Sequence, residues 1–149
     1  MIKRLVWLCL LAVCCMRANA QRGEQDTLRL SCFLTNAVLH AAESRNQLFN
    51  TDELKLVLSS TSDTVVKACI DAEVTTVQRE ADGTYEIVFV YKDYWFWLSG
   101  LQRATVRAKQ KFRRGDPIGI LNQGSKLELL LFDFETPVDP RPLMDCGKH

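Results

Sequence analysis

Histidine is nearly absent from this chain: the 149 residues hold two, His40 and the last residue, His149. So few imidazoles allow neither a Ser-His-Asp set nor a Cys-His pair to be assembled from its motifs. No Cys-x-x-Cys occurs, and no Walker or dinucleotide-type glycine pattern is present. Neither sign of charge dominates: 19 Lys and Arg face 18 Asp and Glu, and nothing in that balance asks for nucleic acid. The N-terminal apolar run, Leu5 to Met16, falls short of the about 20 residues a membrane-spanning helix needs. Internal repeats and low-complexity tracts are absent.

What is present begins with MIKRLVWLCLLAVCCMRANA: early cations, an apolar stretch, then Ala-Asn-Ala. This pattern predicts a secretory signal over residues 1–20, cut after Ala20, and so an exported protein of the periplasm or extracellular space. Lipid anchoring at Cys14 is the less favoured alternative, because Val13 is a poor residue before a modified cysteine. Without Lys3, Arg4 and Arg17 the basic count falls from 19 to 16 against 18 acids, a net charge of −2. Cys32, Cys69 and Cys146 remain. An odd count outside the cytosol predicts one disulfide and one leftover thiol. Cys69 lies inside a strand-like region and suits a buried thiol, which leaves Cys32–Cys146 as the expected pair.

Residues 21–52 read as an N-terminal arm and lead-in segment. Leu30, Phe33, Leu34, Ala37, Val38 and Ala41 fall at helical spacing, yet residues 28–42 are also compatible with extended structure, the reading favoured here. From Glu53 onward the pattern is β. Glu53–Ser60 alternates, Val65–Val77 is rich in β-branched residues and bends near Asp71-Ala72, and Asp82-Gly83 is a hairpin turn. Tyr85–Leu101 gives two strands split at Lys92-Asp93, and Thr105–Phe112 alternates apolar with basic residues. Phe112–Pro140 predicts a short strand at Pro117–Leu121, a turn at Gly124, and a long apolar strand over Leu127–Phe134. The tail from Arg141 reads as irregular. Many short strands with turn signals indicate an all-β, mainly antiparallel sandwich or small barrel.

Three stretches together carry a family resemblance: Ser62–Ala68 followed by Ile70–Val74, Gly115-Asp116-Pro117-Ile118-Gly119 ahead of the apolar strand, and Pro137-Val138-Asp139-Pro140 at its close. With them the sequence resembles the lysostaphin/LytM-type zinc murein endopeptidases over residues 53–143, with 144–149 as a tail. The resemblance implies their single β-domain, built on a duplicated hybrid motif.

Such an enzyme uses zinc, held by three protein ligands with one position open, to polarise a peptide carbonyl and activate water. Laid on this chain, the family pattern puts Glu53, Val57 and Glu128 at its three ligand positions. Lys126 and Trp97 fall where two catalytic histidines belong. None of the five keeps its residue type, so the resemblance implies a domain without cofactor or metal. Its implied role is a non-catalytic binding or regulatory module of the cell envelope, with an envelope protein such as a murein hydrolase as partner. Two alternatives stay open: direct peptidoglycan binding through Trp95 and Trp97, and a relocated metal site on Glu53 and Glu128. Alternation sends Trp95, Trp97 and Ser99 to the face opposite Tyr94, Phe96 and Leu98. Trp97 then either lines the vacated groove or plugs it. Arg103, Arg107, Lys109, Lys111, Arg113 and Arg114 form a basic run, read either as the solvated face of an amphipathic strand or as a strip for an anionic partner.

Overall fold

The computed structural model describes residues 27–41 and 51–146, without the side chains of residues 51 and 52. The expected signal segment with Cys14, most of the polar arm, the loop expected over 43–50 and His149 lie outside the described residues. Thirteen strands are present among them: β1 (Leu30–Ser31), β2 (Val38–His40), β3 (Leu56–Ser59), β4 (Val65–Lys67), β5 (Ala72–Arg79), β6 (Tyr85–Tyr91), β7 (Tyr94–Leu101), β8 (Arg103–Ala104), β9 (Lys111–Phe112), β10 (Pro117–Ile120), β11 (Leu127–Asp133), β12 (Thr136–Val138) and β13 (Met144–Asp145). The fold is all-β. Two short 3-10 turns, Thr51–Leu54 and Arg141–Leu143, complete it.

The main sheet runs β2-β3-β11-β7-β6-β5-β9, with β12 also paired to β11. Every pairing in it is antiparallel. A smaller sheet, β4-β10-β8, packs beside it, and β1 pairs with β13 in parallel. Alternation along β7 and β11 explains how the layers meet. Phe96, Leu98, Leu129 and Leu131 point inward and are fully or almost fully buried, as are Ile87 and Phe89 on β6. Phe89 stacks on Phe96 with ring centroids 4.8 Å apart, and Phe112 closes on Phe89 edge-on at 5.3 Å. The smaller sheet covers this layer with Val66 and Ile118, both fully buried.

Where local signals were strong, the elements follow them. Asp82-Gly83 turns the β5–β6 hairpin with Gly83 at φ 87°, and Asp82 Oδ1 accepts from Thr84 N at 2.9 Å. Residues 28–41 are extended or turn, with no helix.

Three expectations need correction. Residues 105–110 form no strand: Lys109 sits at φ 66°, Ala108 is exposed, and ladder pairing resumes only at Lys111. All six basic residues of that run are exposed. Strand β3 begins at Leu56, so Glu53 lies in the preceding 3-10 turn. The tail is not irregular throughout: Met144 and Asp145 pair with Leu30 and Ser31. Leu28, Leu30, Phe33 and Leu34 are buried in the same core as the later strands. A disulfide joins Cys32 to Cys146 beside the β1–β13 pair, across 114 residues of sequence. Cys69 is a free, fully buried thiol whose pKa burial pushes well up.

Candidate functional site

Register builds the outer face of the main sheet row by row, since directly opposed residues share a face. One row runs Lys111, Glu73, Val90, Trp95, Phe132, Pro137. The next runs Thr76, Val88, Trp97, Leu130. A third runs Ser99, Glu128, Val57, His40 from β7 across to β2. Glu86 and Gln78 oppose each other just beyond it on β6 and β5. A bulge between Val74 and Thr76 keeps β5 in phase with this face.

The first two rows are apolar at their centre. Trp95 is 39% exposed and Trp97 43%, while Val88 beneath them is buried at 6%. Trp97 and Phe132 lie 6.2 Å apart at a tilt of 59°. With Trp95, Phe134 and Glu135 they enclose an open pocket of about 440 Å³. Phe134, at φ 52° in the turn after β11, is 66% exposed. Trp97 is therefore no buried plug.

The third row is polar at its ends. Glu128 Oε2 pairs with Lys55 Nζ at 2.9 Å. A depression of about 600 Å³ opens here, lined among others by Glu80, Asp82, Glu86, Ser99, Lys126 and Glu128. Gln78 Nε2 donates to Glu80 Oε1 at 2.9 Å and to Glu86 Oε1 at 3.1 Å. Burial, with help from the charge of Glu80, pushes the Glu86 carboxyl above its ordinary range.

The structure brings Val57 and Glu128 together as register partners and puts Trp97 one row away. Lys126 is exposed just ahead of β11. Glu53 stands apart: it is exposed in its 3-10 turn, and its carbonyl accepts from Arg141 Nη2 at 3.0 Å. This donor set does not fit zinc. Val57 offers no donor atom and is buried at 5%, Glu128 is held by a lysine, and Lys126 brings a second positive charge. Among the described residues, no group of three or more His, Cys, Asp and Glu is placed to hold a metal ion.

His40 is the residue that motif spacing left out. The β2–β3 pairing sets it opposite Val57, and its Nε2 lies in hydrogen-bond contact with Ser59 Oγ at 2.7 Å. No local signal points to this, because a three-residue edge strand is joined to the face only by a non-local ladder.

No protein-family profile matches the sequence, and no curated protein matches it. Solved structures do match. Csd3 of Helicobacter pylori aligns with TM-score 0.64 at 11% identity, over 82% of this chain and 34% of that one. Lysostaphin, the antimicrobial peptidase of Staphylococcus simulans, aligns with TM-score 0.56 at 18% identity, over 72% of this chain and 50% of its own. A chain of the SpoIIQ–SpoIIIAH pore-forming complex aligns with TM-score 0.60 at 12% identity, covering 82% of this chain and 94% of that one. This chain thus spans about a third of Csd3 and about half of lysostaphin. No helix among the described residues is long and apolar enough to cross a membrane. The backbone built above has the all-β fold of the lysostaphin/LytM-type peptidase domains.

Proposed function

We propose that this chain is an exported, non-catalytic LytM-like module that binds a protein of the cell envelope through the open face of its main sheet. A peptidoglycan hydrolase is the class of partner the family resemblance implies. One observation supports the reading: the five positions that the resemblance assigns to ligands and catalytic histidines hold an exposed glutamate, a buried valine, a lysine-paired glutamate, an exposed lysine and a half-exposed tryptophan. A face that cannot polarise a carbonyl still has exposed aromatic surface to desolvate, and Trp is prominent among residues that dominate interfaces. That one matched chain belongs to a pore-forming complex of two proteins agrees with this reading. A peptidoglycan-binding role is the second reading, favoured by the exposure of both Trp95 and Trp97.

The test pairs two assays on purified protein. Elemental analysis with a murein-peptide cleavage assay should find neither stoichiometric zinc nor product. Capture experiments with envelope proteins and with murein should show retention that Trp97→Ala weakens by about 2 kcal/mol or more in a folded variant. One zinc per chain together with cleavage would sink the proposal, and retention by murein alone would replace it with the second reading.

A further inference from the structure

The open face has two chemically different ends, and their adjacency specifies an occupant. The rows at Trp95 and Trp97 are apolar, and the 440 Å³ pocket among Trp95, Trp97, Phe132 and Phe134 has a single charged lining residue, Glu135. Four carboxylates, Glu80, Asp82, Glu86 and Glu128, line the neighbouring depression against one cation, Lys126. Of these, Glu128 has Lys55, whereas Glu80 and Glu86 share one neutral donor, the Gln78 amide. Among the described residues neither Glu80 nor Glu86 forms an ion pair with a Lys or Arg. Along β7, Trp97 and Trp95 stand two and four residues from Ser99, which borders the acidic end. At about 3.3 Å per residue this is roughly 7 and 13 Å.

We propose that this face docks a polypeptide segment carrying an apolar anchor beside lysine or arginine, the anchor entering the Trp95–Trp97–Phe132–Phe134 pocket and the cations lying over Glu80 and Glu86. The inference rests on the non-catalytic binding role argued above and names the chemistry of its partner. Charge complementarity selects the cations: two carboxylates on one amide repel each other, and an incoming ammonium or guanidinium removes that repulsion and supplies the missing donors. Burial chiefly raises the Glu86 carboxyl, and the neighbouring charge of Glu80 adds to the effect. Geometry selects a side chain over a sugar. The Trp97 and Phe132 rings meet at 59° and make a cleft rather than a flat stacking surface. A sugar ring would also need several polar partners around it, and this pocket has one carboxylate.

Of the chain's three tryptophans, Trp7 lies in the expected signal segment, so the fluorescence of protein purified from residue 21 onward comes from Trp95 and Trp97 and reports on this face alone. The probes are synthetic peptides in which a Leu-Leu pair is followed a few residues later by Lys-x-Lys, the same peptide with Glu-x-Glu, and a chitin oligosaccharide. The expected result is that the lysine peptide binds at least about tenfold tighter than the glutamate peptide at low salt, and that the gap closes near 1 M salt, where the Debye length is about 3 Å. Glu80→Gln with Glu86→Gln should erase the preference, and Trp97→Ala should abolish binding of both peptides. Circular dichroism establishes that each variant is folded. A preference under about twofold, or one that survives the double substitution, overturns the inference. So does a fluorescence response to the oligosaccharide with none to the peptides. If Trp97→Ala abolishes binding while the glutamates prove irrelevant, the charge-specific inference falls and the binding role stands. If Trp97→Ala leaves peptide binding intact, both fall.

Discussion

Alanine at two adjacent positions of β7 tests the division of labour between its faces. Phe96 is fully buried, stacks on Phe89 and opposes Leu131 in the ladder. Its truncation leaves a closed cavity and should cost about 3–5 kcal/mol. Trp97 is 43% exposed and faces the other way. Just over half of it is covered, and its removal opens onto solvent instead of leaving a void. Scaling the cost of a buried aromatic by that fraction gives about 2 kcal/mol, including the lost contact with Phe132. Both variants keep the strand's backbone hydrogen bonds, so the comparison isolates side-chain burial. Urea unfolding followed by far-UV circular dichroism is the suitable assay, because the Trp signal is itself altered. The midpoint should fall about twice as far for Phe96→Ala as for Trp97→Ala, with unchanged slope. Equal losses would show Trp97 to be part of the packed structure, and the case for a ligand-facing tryptophan would collapse.

Three further outcomes follow from the fold. Cys32→Ser should lower stability by about 4–5 kcal/mol, since the bond closes a loop of 114 residues; melting with and without reductant should show the same difference in the parent protein. Gly100 sits at φ 92°, and a Cβ there would lie 2.3 Å from the Lys126 carbonyl oxygen, whereas at Gly83, φ 87°, nothing comes nearer than Arg79 Nη2 at 3.6 Å. Gly83→Ala should thus cost about 1–2 kcal/mol in backbone strain, and Gly100→Ala should cost more because β7 must move off β11; similar midpoints would refute the clash. The hydrogen bond from Arg141 holds the Asp139 carboxyl below the usual range, so its contribution is complete above about pH 4 and fades as pH falls through the lowered native value. Discounted for solvent screening this is under about 1 kcal/mol, and Asp139→Asn should flatten the acid side of the stability profile by that amount.

How much of this was legible in the sequence depends on how local the determining interactions are. The β5–β6–β7 meander was readable because alternation, Asp82-Gly83 and Lys92-Asp93 all act within a few residues. The assignment of Phe96 and Leu98 to one face and Trp95 and Trp97 to the other followed from the same period of two. Residues 105–110 misled because a solvated loop can alternate by chance: Val106 is buried, but Lys109 turns the backbone to φ 66° and Ala108 faces solvent. The pairing of Leu30 with Met144 was hidden for the opposite reason. Two-residue strands have no periodicity, and their partners lie at opposite ends of the described chain. His40 was missed likewise, since its place opposite Val57 arises from a ladder to β3 rather than from any motif.

The same alternation explains how a fold can be shared at 11% identity with Csd3 and 18% with lysostaphin while its outward residues are free to vary. Each strand of the main sheet carries two nearly independent sets of side chains. On β11 the inward set is Leu127, Leu129 and Leu131, each 1% exposed, and any polar replacement there would leave an unpaired group in the core. The outward set is Glu128, Leu130 and Phe132, all partly exposed, whose replacement need not disturb the packing beneath. A zinc centre on the outward set makes strict demands: three donors, their orientation by further hydrogen bonds, and an open coordination position. On the non-catalytic reading proposed above those demands do not apply, and apolar or self-paired residues such as Val57, Trp97 and the Lys55–Glu128 pair are compatible with the outward face. The aromatic pocket on the open face is therefore not required by the fold. The inward residues would hold the sheet together without it, so two tryptophans kept 39% and 43% exposed call for an explanation outside the core, and a bound partner supplies one.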